Sequence, residues 1–200
     1  MKNILKGTSK DMKKKFENKN DFRKYCKYRL KKAVKSGKIK RDFLVNRKIL
    51  KYIDNTKTKN ILLYLPLSEE VDITMVLKKL RKTKGYTVFV PFMEGVSFKM
   101  VKFRLPLFRK RFQILEPKNS YARGKKIDLA IVPVLGVDGA FRRVGFGKGM
   151  YDRFFESLAY KPKIAFVELI ECYTSSHVGE AHDIQADIYI TPNNKIEVKR

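Results

Sequence analysis

Between Asp138 and Arg153 the chain reads Asp-Gly-Ala-Phe-Arg-Arg-Val-Gly-Phe-Gly-Lys-Gly-Met-Tyr-Asp-Arg. Gly145, Gly147 and Gly149 alternate, with Lys148 between the last two and Arg142-Arg143 just ahead. At glycine, backbone N–H groups can close on an anion with no Cβ in the way. A helix opening directly after them would add its positive end. Lys148 supplies a point charge and Arg143 a planar fork for phosphate oxygens. Asp152 suits Mg2+, which usually takes one or two carboxylates together with substrate phosphates. The spacing is neither the Walker loop nor the dinucleotide fingerprint, and glycines alone would read equally as a flexible turn. Three glycines, three cations and a carboxylate within eleven residues, following a buried strand, point to a phosphate site.

A site of this kind needs a scaffold, and the flanking patterns describe one. Asn60–Leu65, Tyr86–Val90 and Ile127–Val132 are short continuous apolar runs, each followed by proline, as in strands buried on both faces. Ile73–Arg81 is amphipathic at helical spacing and stops before Gly85, and a helix is expected from about Gly149 to Tyr160. Ile164–Val167 and Ile188–Ile190 add strands, Ser97–Phe103 alternates like a half-exposed one, and 195–199 reads as a terminal edge. Residues 105–124 read as a long basic loop. Upstream, residues 16–53 read as two helices broken at Ser36-Gly37, the second burying Phe43, Leu44, Ile49 and Leu50. Strand, helix and strand in alternation imply a parallel α/β sheet with its ligands beyond the strands' carboxyl ends.

Composition narrows the class. With 200 residues, 44% hydrophobic, the chain can bury a core and is too apolar to be disordered. No run reaches the roughly 20 apolar residues of a membrane span, and the Lys- and Asn-rich start, without an apolar stretch, is not expected to act as a secretory signal. Cys26 and Cys172 lie far apart without metal-type spacing, so they read as a helix-packing and a strand-end residue in a reducing, cytoplasmic setting. The net charge of +26 is concentrated at the start, where residues 1–60 carry 22 of the 46 basic and 5 of the 20 acidic residues. Such an arm attracts anions and keeps an RNA-associated function as an alternative. Lysine dominates it, however, and charge alone does not identify the anion. A sugar-phosphate or acyl-CoA enzyme on a similar sheet is a second alternative.

The residues from Val132 to Arg153, with Arg-x-Gly-x-Gly-x-Gly-x-Tyr-Asp at their end, resemble the signature of the 5-formyltetrahydrofolate cyclo-ligase family. Lys19-Asn-Asp-Phe-Arg23, Tyr64-Leu65-Pro66 with Glu70-Val71-Asp72, Ile114-Leu115-Glu116-Pro117 and His182-Asp183 resemble further family motifs in the same order, over about residues 19–192. The resemblance implies a three-layer, mostly parallel sheet flanked by helices, Rossmann-like and similar to the NagB/RpiA/CoA-transferase type, with an N-terminal helical extension. A single α/β domain over 1–200 is expected, with a basic arm at 1–15 and helices at 16–58 packed on the sheet. The implied reaction is ATP- and Mg2+-dependent conversion of 5-formyltetrahydrofolate, with or without a polyglutamate tail, to 5,10-methenyltetrahydrofolate in a monomer. The implied ATP-binding residues are Lys19, Arg23, Arg143, Val144, Gly145, Phe146, Gly147, Lys148, Gly149, Met150 and Tyr151. Leu65, Glu70 and the stretch from Phe146 to Met150 would bind folate, Asp152 and Asp183 would hold Mg2+, and Lys148, Arg143 and Tyr151 would act on the reacting atoms. The sequence departs from the family's usual residues at Met150 (usually Tyr), Ile73 (Thr), Val144 (Leu) and Phe141 (Gly).

Overall fold

The computed structural model describes residues 14–110, 115–120 and 125–198. Two helices come first, α1 (Lys19–Lys35) and α2 (Lys38–Asp54). Asn18 caps α1 by accepting the Asp21 amide at 2.9 Å, and Phe22, Cys26, Leu30 and Ala33 form its buried stripe. The break falls where expected, at Ser36-Gly37, with Gly37 at φ 70 opening α2. The buried face of α2 is rotated from the expected one: Val45, Asn46, Ile49, Tyr52 and Ile53 face inward, while Phe43 is 52% exposed. The inward face is mostly apolar and carries one polar residue. Asn46 Nδ2 donates to the carbonyls of Asp42 and Asp72, each at 2.7 Å, which offsets part of the cost of burying the amide.

Strands β1 (Asn60–Leu62), β2 (Thr87–Glu94), β6 (Leu129–Pro133), β9 (Lys163–Val167) and β10 (Ile188–Ile190) run parallel, while β3 (Ser97–Lys102) and β11 (Lys195–Glu197) lie antiparallel at the two edges. The order across this seven-stranded sheet is β11-β10-β9-β6-β1-β2-β3. β2 continues through Pro91, where an end was expected. Beyond Val90 it pairs only with β3, so the missing proline N–H leaves no broken bond to β1. Within the expected basic loop, β4 (Phe108–Arg109) pairs with β5 (Leu115–Glu116); residues 111–114 and 121–124 lie outside the described residues. The expected 1–15 arm lies outside them up to residue 13. Lys14 is docked, its carbonyl accepting from Thr174 Oγ1 at 3.0 Å and its ammonium 4.5 Å from the centroid of the Tyr25 ring.

One face of the sheet is covered by α1, α2 and α3 (Thr74–Lys82), whose Phe22, Ile49 and Leu77 pack with Ile61, Val90 and Ile131. On the other face, Phe154 of α4 (Met150–Glu156) packs among Leu62, Phe89, Val132 and Phe166. Alternation along the strands therefore serves two apolar cores, which is why the central strands read as unbroken hydrophobic runs. Among the described residues no helix is long and apolar enough to cross a membrane.

Cys26 and Cys172, expected as separate packing residues, are joined in a disulfide with their Cα atoms 5.9 Å apart. The fold brings them together because α1 lies against the hairpin of β7 (Gly136–Val137) and β8 (Arg143–Val144), close to the Cys172 loop. A side chain at Gly136 would put its Cβ 2.7 Å from Cys26 Sγ, so this glycine permits the approach.

Candidate active site

The loop from Gly145 to Gly149 leaves β8 and enters α4, at the carboxyl side of the sheet. Each glycine has its own reason. A Cβ on Gly145 would lie 2.3 Å from Arg143 Nη1, so the guanidinium crosses the loop only because nothing projects there. Gly147 adopts φ 107 with open space around it, and Gly149 adopts φ 59 at the start of α4. The helix is shorter than expected, ending at Glu156 rather than near Tyr160, because Ser157 Oγ bonds back to the Phe154 carbonyl and Tyr160 turns away to accept the Ile127 amide. A helix of seven residues has a weak dipole, which leaves cations as the main source of positive potential at the loop.

Those cations converge. Arg143 is buried; its Nε donates to the Pro133 carbonyl at 3.3 Å and its Nη1 lies 3.5 Å from Asp152 Oδ2. Its Cζ stands 5.1 Å from the centroid of the Tyr151 ring. Lys148 is exposed and its ammonium makes no ion pair among the described residues. From the second turn of α1, Arg23 Nε donates to the Gly145 carbonyl at 2.9 Å, which ties the helix to the glycine loop. Lys19 Nζ meets both oxygens of Asp183 at 2.7 Å.

Asp152 and Asp183, expected as metal ligands, border one cavity. They are linked through the backbone, since the amide of Ile184 donates to Asp152 Oδ1 at 3.2 Å. Each carboxylate is balanced by a cation, Asp152 by Arg143 and Asp183 by Lys19. Among the described residues no group of three or more His, Cys, Asp or Glu forms a metal site. Their oxygens already have partners, Asp152 Oδ1 the Ile184 amide and Oδ2 Arg143, and both oxygens of Asp183 the Lys19 ammonium, so a Mg2+ taking these two carboxylates, with its other ligands from water and substrate phosphates, would do so in place of the two cations.

A cavity of about 190 Å3 opens beside the loop, lined on one side by Arg143, Phe146, Lys148, Gly149, Met150 and Tyr151 and on the other by Tyr64, Leu65 and Glu70. Burial pushes the Glu70 carboxyl up to about 7, opposed by the Leu67 amide that bonds it at 2.9 Å and by the charges of Arg143 and Lys38. Burial also raises the Tyr151 phenol, with the Glu70 charge adding to the effect and Arg143 opposing it, so the hydroxyl stays protonated. That hydroxyl makes no hydrogen bond among the described residues. The site therefore juxtaposes a phosphate-type loop, a neutral phenol donor and a carboxyl poised to accept N–H groups.

The fold gathers every residue expected at the site around the loop, this cavity or the adjoining Asp152–Asp183 cavity, except Val144, which is buried in the core. It adds seven wall residues that the sequence reading left out of the site, among them Tyr64, Pro91, Met93, Phe98 and Glu116. Glu116 is buried and accepts the Met93 amide at 3.0 Å, a fixing role for the wall. The Glu-Pro pair was its only signal. The Gly departure at Phe141 falls on a residue with φ 56, the left-handed region that favours glycine, with its ring 5.7 Å from that of Tyr173.

Comparison with known proteins gives one consistent answer. The model of the 5-formyltetrahydrofolate cyclo-ligase family matches residues 15–192. A 5-formyltetrahydrofolate cyclo-ligase of Mycoplasma genitalium is 25% identical over 151 residues, covering 74% of this chain and 82% of the relative. The mouse (Mus musculus) protein of the same name is 26% identical over 171 residues, covering 76% and 84%. The solution structure of Aquifex aeolicus 5,10-methenyltetrahydrofolate synthetase superposes with a TM-score of 0.72 at 25% identity, over 91% of this chain and 93% of that one. The Mycoplasma pneumoniae synthetase structure, at 21% identity and TM-score 0.63 over 87% and 98%, shares the fold.

Proposed function

The chain belongs to the 5-formyltetrahydrofolate cyclo-ligase family, and we propose that its glycine loop and Glu70 cavity carry out that family's reaction. ATP drives closure of 5-formyltetrahydrofolate to 5,10-methenyltetrahydrofolate, with ADP and phosphate released. One observation carries the reading. Glu70 and Lys148 line a single cavity, so a pterin held by the carboxylate has its formyl group facing the phosphate loop.

The chemical difficulty is an amide-like formyl carbon bearing a poor leaving group. The formyl oxygen attacks the γ-phosphorus, and the bond from phosphorus to the ADP oxygen breaks. The bridge nitrogen then adds its lone pair to the activated carbon. Phosphate departs carrying the formyl oxygen, and the nitrogen loses its proton as the ring closes. No side chain has to become covalently attached, so the protein's work is positioning and charge.

Lys148, exposed and without an ion pair among the described residues, meets the γ-phosphate through transfer, and Arg143 supplies a fixed positive charge behind it. Lys19 and Arg23 hold the other phosphates from α1, with the backbone amides from Gly145 to Gly149. Tyr151 donates from its neutral hydroxyl into the cavity, toward oxygen of the reacting group. Glu70 accepts the pterin's N–H donors, while Leu65, Phe146 and Met150 wall the ring. Asp152 and Asp183 would hold Mg2+, which when bound screens the charge on ATP's phosphate oxygens.

Folinate with Mg-ATP, followed by the absorbance of methenyltetrahydrofolate, tests this reading. Product that forms only when folinate and ATP are both present, and is lost in Lys148→Met, supports it. ATP hydrolysis without ring closure would overturn it.

A further inference from the structure

The proposed ring closure releases one proton. The bridge nitrogen gains a positive charge as it adds to the activated carbon, and its N–H proton has to leave. A cavity of about 190 Å3 whose walls are mostly leucine, methionine and aromatic side chains holds little water beside a pterin, so the acceptor has to come from the wall. Six titratable side chains line it: Tyr64, Glu70, Glu116, Arg143, Lys148 and Tyr151. Arg143 and Lys148 are cations. Tyr64 donates its hydroxyl to the Val71 carbonyl at 2.8 Å, and burial raises both phenols, which stay protonated. Glu70 is bonded by the Leu67 amide at 2.9 Å and is committed to the pterin's N–H donors. Glu116 is left.

The fold also puts Glu116 at the reacting end. Along β5 the exposed Leu115 and the buried Glu116 alternate, which turns the carboxylate inward. Its Oε1 accepts the Met93 amide at 3.0 Å. Met93 stands opposite Phe98 in the β2–β3 ladder, and the Phe98 ring lies 5.1 Å from that of Tyr151. Ser97 Oγ donates to the Met150 carbonyl at 3.3 Å and holds the same hairpin to the start of α4. Glu116 therefore borders the end of the cavity made by Tyr151 and the phosphate loop. Among the described residues the Met93 amide is its only hydrogen-bond partner, and the only fully enclosed side-chain nitrogen or oxygen without a partner is Asn46 Oδ1. Oε2 is therefore not sealed into the wall. It reaches the open space that Glu116 lines, which is this cavity.

We infer that Glu116 is the general base of ring closure, with one carboxylate oxygen fixed by the Met93 amide and the other taking the proton of the bridge nitrogen. This rests on the proposed reaction and adds a catalytic residue to it. The nitrogen lone pair forms the new bond to carbon, and the N–H bond pair stays on nitrogen as the proton passes to Oε2. The carbon–oxygen bond then breaks with its pair leaving on phosphate, and nitrogen shares its retained pair with the carbon. Glu116 returns the proton to water when product leaves and is a carboxylate again for the next turnover.

Single turnovers of folinate with Mg-ATP separate the steps, with ADP measured by rapid quench and ring closure by methenyltetrahydrofolate absorbance. Glu116→Gln keeps an oxygen for the Met93 amide and loses the proton acceptor. Because the proton moves after phosphoryl transfer, ADP should form within about threefold of the wild-type rate while closure slows about 100-fold, the lower end of general-base catalysis. A side chain that only fixed the wall would slow both steps alike. Glu116→Asp retains a carboxylate and should close the ring in step with ADP, which decides the matter where Glu116→Gln does not fold. The inference is overturned by closure in Glu116→Gln that keeps pace with ADP, by both steps falling together, or by closure in Glu116→Asp that lags far behind ADP. Wild type tests the reaction separately. ADP without ring closure there would sink the cyclo-ligase reading and this base with it, whereas one-to-one ADP and product with an unaffected Glu116→Gln would sink Glu116 alone.

Discussion

Replacing Gly145 by alanine inserts one methyl group at a place where the structure has no room for it. The new Cβ would lie 2.3 Å from Arg143 Nη1 and 2.6 Å from its Cζ, well inside any real contact. The guanidinium is the part able to move, and moving it costs three things at once: the bond to the Pro133 carbonyl, the contact over Tyr151 and the pairing with Asp152. Breaking a fully buried pair costs about 3–5 kcal/mol. The 3.5 Å separation and the slight exposure of both side chains reduce this to about 2–3 kcal/mol. For a chain of this size that lowers Tm by roughly 5–10 °C. Losing a fixed cation behind the transferring phosphoryl group should lower kcat by about 10²–10³-fold, comparable to removing one oxyanion donor. The assay is methenyltetrahydrofolate formation at saturating folinate and ATP, with a thermal melt of the same sample. Gly147→Ala is the companion, because its Cβ meets nothing within 4 Å and only the backbone at φ 107 is strained. A Gly145→Ala protein with wild-type kcat and Tm would refute the idea that this glycine exists to let Arg143 cross the loop.

Three further outcomes are expected. Lys148→Met should lower kcat by at least about 100-fold with little change in Tm, since the exposed ammonium has no ion pair to lose; a matching fall in Tm would point to a structural role instead. Asp152→Asn should raise the Mg2+ concentration for half-maximal rate more than it raises the folinate KM, and the reverse order would move Asp152 to the folate pocket. In wild type the folinate KM should fall from about pH 6 to about pH 8 as Glu70, at about 7, loses its proton and becomes an acceptor. Glu70→Gln should raise the folinate KM, spare ATP and flatten that profile. The stability sign runs the other way. Glu70 has a folded value above its unfolded one, so its contribution is present at low pH and lost as pH rises through about 7, and Glu70→Gln should melt relatively higher at pH 8.

Much of this arrangement was legible in the chain. Continuous apolar runs ending in proline located the central strands, because a strand covered on both faces has no polar side to alternate. The glycine loop stood out because its residue types serve no packing purpose together. What stayed hidden depended on contacts between distant segments. The buried face of α2 includes Asn46, whose amide reaches the Asp72 carbonyl, a contact that no helical periodicity encodes. The continuation of β2 past Pro91 depends on which neighbour has ended there. Cys26 and Cys172 are 146 residues apart, and only the seating of α1 over Gly136 makes them partners. Glu70 was recognisable through the resemblance, yet its perturbed carboxyl follows from the depth of a cavity assembled from four separate stretches of chain, 64–70, 91–98, 115–116 and 143–151.

In the proposed reaction the formyl oxygen leaves as part of phosphate, and isotope transfer follows that oxygen. Folinate labelled with 18O in the formyl group is turned over with Mg-ATP, and the released phosphate is analysed by mass spectrometry. One 18O atom is expected in the phosphate for each methenyltetrahydrofolate formed. Unlabelled phosphate, with the heavy oxygen found in water, would contradict it.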